Sequence, residues 1–131
     1  MSHRFALAVI ALLQFVGIAG LAAQTRQQER AWTAPDRAAS RLNPLTNQPE
    51  LAAGGRKIFG QRCTQCHGAD AQGTSRAPNL LSRRVQAQSD GALFWKISSG
   101  DTRAGMPSFS YLPAPERWQV VLHLRSLAAV R

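Results

Sequence analysis

Hydrophobic and polar residues are distributed unevenly along the chain. After Ser2, His3 and Arg4 comes an apolar run from Phe5 to Ala23, interrupted by Gln14, and then the abruptly polar Gln24-Thr25-Arg26-Gln27-Gln28-Glu29-Arg30. Gln24 to Gln48 is rich in Gln, Arg, Ala, Pro and Asn, with Trp32 its one aromatic residue and Pro35 and Pro44 as breakers. Beyond it, Leu51, Gly55, Ile58 and Phe59 fall at i, i+4, i+7 and i+8, which predicts a helix over about Pro49 to Arg62 with one apolar face. Ser89 as cap, Asp90 in the first turn, Leu93, Phe94 and Ile97 on one side and Gly100 as stop predict a second helix. A third starts near Pro115 and Glu116 and carries Trp118, Val121, Leu122, Leu124 and Leu127 to the end of the chain. Gly68, Gly73, Pro78, Gly105, Pro107 and Pro113 mark loops, and no stretch alternates as a strand does. The expected class is all-α, without internal repeats.

The 131 residues suffice for one core. Three parts follow from the pattern: an export segment over 1–23, a flexible lead-in over 24–48 and a domain over 49–131. A short basic start ahead of an apolar run is the form of a secretory signal. Phe5 to Ala23 is also close to the minimum that spans a bilayer, so cleavage near Ala23 and retention as a membrane anchor both fit. Either fate takes the chain to the periplasm. The lead-in is expected to bury too little surface to offset its ordering entropy.

Sixteen Lys and Arg against seven Asp and Glu give a formal charge of +9, and Lys57 and Lys96 are the only lysines. Such a balance suits a partner with an acidic docking surface, although a solvated basic surface explains it as well. Nucleic acid is a poor candidate, since no recognition motif is present and the apolar start directs the chain out of the cytoplasm.

The two cysteines are too few for a disulfide framework and stand as Cys63-Thr64-Gln65-Cys66, with His67 next. Cys-x-x-Cys-His reads as covalent attachment of a c-type haem, the thiols adding to two vinyl groups and the imidazole binding the iron. A zinc site would need a fourth ligand, and outside this cluster the chain offers His3 and His123. A thioredoxin-like dithiol would sit in a βαβ setting that the pattern lacks.

Gly55-x-x-Ile58-Phe59 before Cys63, then Cys63-x-x-Cys66-His67-Gly68, Ala77-Pro78-Asn79-Leu80 and Gly105-Met106-Pro107, make residues 49–131 resemble the small single-haem class I cytochromes c. The resemblance implies a cytochrome c fold in which three or more helices wrap one covalent haem c, the first crossing the last near Gly55. It also implies that the Pro78 carbonyl accepts from the His67 ring, that Leu80 packs on the porphyrin, and that Met106 is the second iron ligand. Phe59, Trp95 and Phe109 are candidate haem-wall residues, and Arg76, Lys96 and Arg103 candidate partners of the propionates. His123 departs from the family, standing where an aromatic residue is common.

A haem iron held by His67 and Met106 has no vacant position, and a methionine ligand raises its potential. The expected function is therefore electron transfer between exported or membrane redox proteins rather than catalysis. The alternatives are a fixed cytochrome subunit of a periplasmic or membrane dehydrogenase or oxidase, and an enzyme or gas sensor with five-coordinate haem.

Overall fold

The computed structural model describes residues 32–129, and the export segment expected over 1–23 lies outside them. The described residues from 34 onward form one compact unit. Its elements are α1 (Asp36–Ala39), a 3-10 turn (Pro49–Leu51), α2 (Ala52–Arg62), α3 (Thr64–His67), α4 (Arg83–Gln86), α5 (Asp90–Ser99), a second 3-10 turn (Thr102–Ala104) and α6 (Ala114–Ala129). Among the described residues the only β pairing is an isolated bridge between Asp101 and Met106. The all-α expectation holds. None of the described helices is long and apolar enough to cross a membrane.

The three expected helices are α2, α5 and α6. Ser89 caps α5 by accepting from the Ala92 N–H at 3.2 Å, and Gly100 ends it with φ +65°. α2 crosses α6 so closely that a Cβ on Gly55 would collide with the backbone of Gln119 and Val120. Glycine is required there because no other residue lets the two backbones approach.

The burial of α6 is wider than its sequence pattern suggested. Val120, His123 and Leu124 are buried along with Trp118 and Val121, whereas Leu122 is only half-buried. The reason is that α6 serves two clusters. Val120 and Leu124 join Phe59 and Ala71, while Trp118 and Val121 join Leu93 and Phe94. A helix packed on two sides buries more than one stripe.

Residues 34–48 differ from the flexible lead-in that their composition suggested. Ala34 and Asn43 are buried, Leu45 packs against the second cluster, and the segment lies over α5 and α6. The Ser89 hydroxyl donates to the Ala39 carbonyl at 2.6 Å, and Asn43 Nδ2 donates to the Trp118 carbonyl at 3.4 Å. Gly91 makes room for this strap, since a Cβ there would strike the carbonyls of Ala38, Ala39 and Arg41. Hydropathy undercounts such a segment because backbone carbonyls and an amide hold it as much as apolar area does.

Candidate functional site

α2 ends at Cys63, whose N–H donates to the Phe59 carbonyl at 2.9 Å, and the one-turn α3 follows at once. The Cys63 carbonyl accepts from the N–H groups of Cys66 at 3.1 Å and His67 at 2.9 Å, so both cysteines and the histidine are fixed within one turn. Gly68, with φ +80°, then turns the chain away. Both thiols are free and half-buried.

His67 is buried, and its Nδ1 lies 3.1 Å from the Pro78 carbonyl oxygen. A carbonyl can only accept, so the hydrogen sits on Nδ1 and the lone pair on Nε2 is free to bind a metal. The loop carrying Pro78 is itself tied down. Gly73 N–H donates to the His67 carbonyl at 2.8 Å, the Thr74 hydroxyl to the Cys66 carbonyl at 2.5 Å, and Leu80 N–H to the Ala71 carbonyl at 2.9 Å. Thr74 is a site residue that no local motif singles out, because its role depends on the loop's return past Cys66.

Cys63 and Leu80 pack against the cluster of Phe59, Ala71, Val120 and Leu124. Burial, with Cys66 beside it, pushes the Cys63 thiol up to about 11. Among the described residues no three His, Cys, Asp or Glu side chains are gathered as a metal cage. The free sulfurs, the oriented imidazole and the apolar wall instead fit a haem c bound along one edge.

Met106 lies half-buried in the loop after α5. Asp101 and Met106 exchange both backbone hydrogen bonds at 2.9 Å, Gly105 takes φ +82°, and Phe109 N–H donates to the Ile97 carbonyl at 3.1 Å. The methionine is therefore held to the end of α5 by backbone. Phe109 is buried and lies 6.1 Å from Tyr111, centroid to centroid.

The remaining candidates divide. Leu80 and Cys63 pack against the cluster that contains Phe59, and Trp95 lines a cavity with Arg41 and Phe94. Arg76 and Arg103 are exposed. Lys96 is half-buried, and its pKa is lowered by burial and then by Arg84, against an opposing effect of Asp101. His123 packs edge-on to Phe59, with ring centroids 5.5 Å apart.

Comparison with known proteins agrees with this geometry. Residues 50–124 match the family described as cytochrome c oxidase, cbb3-type, subunit III. A 36-residue stretch is 47% identical to the cbb3-type cytochrome c oxidase subunit CcoP of Rubrivivax gelatinosus, covering 28% of this chain and 12% of that protein.

Proposed function

The chain belongs to the cytochrome c oxidase, cbb3-type, subunit III family, and on that premise we propose that Cys63 and Cys66 form the two thioether bonds to its haem and that His67 and Met106 bind the iron. As a c-type cytochrome domain it carries covalent haem c with its iron and transfers electrons. When bound, that group supplies a one-electron Fe(II)/Fe(III) couple.

The chain's own residues tune and protect it. The Pro78 carbonyl fixes the tautomer and orientation of His67 and raises the basicity of its ring. Phe59, Leu80, Val120 and Leu124 exclude water, which disfavours the extra charge of the oxidised state and lifts the potential. A thioether from Met106 acts in the same direction and occupies the position that oxygen or carbon monoxide would otherwise take.

The observation that carries this reading is the His67 ring, buried directly after two free thiols and locked by Pro78 so that Nε2 is available. Met106→Ala tests it. The variant is expected to lose the methionine-to-iron charge-transfer band of the oxidised protein and to bind carbon monoxide rapidly when reduced. If the unaltered reduced protein already binds carbon monoxide readily, Met106 is not the second ligand.

The family and the CcoP similarity favour, as a second reading, a fixed electron-entry subunit of a membrane oxidase over a freely diffusing carrier. Both place the haem domain in the periplasm with acidic redox partners, tethered if residues 5–23 are retained. Mass measurement of the mature chain and its distribution between membrane and soluble fractions separate the two readings.

A further inference from the structure

A cavity of about 310 Å³ is lined by Arg41, Phe94, Trp95, Ser98 and Arg117 together with two alanines. None of these residues takes part in the haem site proposed above. Phe94 and Trp118 are stacked, with centroids 4.0 Å apart and planes at 19°. Arg41 Cζ lies 4.8 Å from the Phe94 centroid and 5.3 Å from that of Trp118, and Arg117 Cζ lies 4.7 Å from Phe94.

Two guanidiniums gathered about one ring repel each other, and the ring quadrupole offsets only part of that repulsion. Among the described residues neither arginine has an ion-pair partner, unlike Arg125, which pairs with Asp90. Arg117 donates from Nε to the Leu112 carbonyl at 3.1 Å and from Nη1 to the Ser98 hydroxyl. That hydroxyl in turn donates to the Phe94 carbonyl at 2.7 Å, so its proton is already committed. Among the described residues the Arg41 guanidinium meets the aromatic rings alone. The wall thus offers aromatic surface and N–H donors, two positive charges and no negative one.

We propose that this cavity binds a small aryl carboxylate, its anionic group held between Arg41 and Arg117 and its ring against Trp95, the half-buried aromatic residue of the lining. The planar guanidinium suits the two oxygens of a carboxylate. The volume is at the small end of the range for ligand pockets, about 300 to 1,000 Å³, which limits the occupant to about one ring. Because Arg41 belongs to the strap and Arg117 to α6, the bound anion would join the two.

The test is titration of the reduced, diamagnetic holoprotein with benzoate, followed by the Trp95 indole N–H and the arginine Nε–H resonances. Saturable shifts at Trp95 with a Kd in the millimolar range or tighter are expected. Loss of one charge-assisted contact in Arg41→Gln or Arg117→Gln should weaken binding about tenfold or more. Should Arg117→Gln fail to fold, Arg41→Gln carries the test, since Arg41 is exposed and its head group bonds no acceptor among the described residues. The proposal is overturned by an absence of saturation at Trp95, by unchanged affinity in Arg41→Gln, or by equal shifts from inorganic phosphate at the same ionic strength. The last result would mean unspecific attraction of anions.

Discussion

Two apolar clusters share α6 and are closed in opposite ways. The one beside the Cys-x-x-Cys-His turn, built on Phe59, Ala71, Val120 and Leu124, is closed by two regular helices meeting backbone to backbone at Gly55. The other, Leu93, Phe94, Trp118 and Val121, is roofed by a strap whose contributions are carbonyl oxygens, the Asn43 amide and the Arg41 guanidinium. A backbone crossing has no slack, so it suits the cluster that must hold a thiol and an imidazole in register. A polar strap can yield by small rotations without disturbing the helices beneath it. Damage to the first cluster should therefore reach the haem, and damage to the second should not.

The largest effect is expected from Gly55→Val. The added side chain meets the backbone of Gln119 and Val120, which cannot rotate away, and the helices must separate. A loss of about 4 kcal/mol or more is expected from denaturant unfolding of the holoprotein, together with an altered haem spectrum. An unchanged spectrum at that loss of stability would show that the crossing does not hold the haem-side cluster in place.

Gly91→Ala is the matching change in the second cluster. Helix propensity improves by about 1 kcal/mol, but the new methyl meets the carbonyls of Ala38 and Arg41 and lifts the strap. A net loss of about 1–2 kcal/mol is expected, with the haem spectrum and midpoint potential as in the parent. A shifted potential would mean that the two clusters are coupled through α5.

This contrast also accounts for what could be read from the sequence. The helices α2, α5 and α6 were legible because apolar spacing, Ser89 and Gly100 all favour the same local structure. The Cys63, Cys66 and His67 turn was legible because its spacing has a specific chemistry, and the Pro78 carbonyl was expected from the resemblance and lies where the His67 ring can use it. The strap was not legible. Its holding groups are main-chain oxygens and a guanidinium over aromatic rings, which hydropathy counts as polar, and Leu45 alone is too little signal. The cavity that Trp95 lines was not legible either, since its neighbours there include an arginine 54 positions earlier in the chain. Val120 was not among the apolar positions that marked α6, because a helix packed on two sides buries more than one stripe.

A smaller effect is expected from Arg41→Gln. The exposed guanidinium covers Phe94 and Trp118, and an interaction of this kind contributes about 0.5–1 kcal/mol at an exposed site. Thermal unfolding of the holoprotein should show that loss and no more. A loss as large as that of Gly91→Ala would mean that the strap hangs on Arg41 rather than on its backbone contacts.

The smallest effect separates the clusters by pH. His123 is buried at the α2–α6 crossing against Phe59. Burial, and then the positive charge of Arg56, hold its pKa below the ordinary imidazole value of 6.5. The unfolded chain therefore takes up a proton at higher pH than the folded one. The stability due to neutral His123 is complete above 6.5, declines as the pH falls from there toward the folded pKa, and changes no further below it. His123→Phe should remove this decline when stability is measured across that window, while Arg41→Gln should retain it. The buried members of the second cluster, Leu93, Phe94, Trp118 and Val121, have no group that titrates there. An equal decline in the parent and in His123→Phe would mean that the acid sensitivity arises elsewhere and that His123 is as easily protonated folded as unfolded.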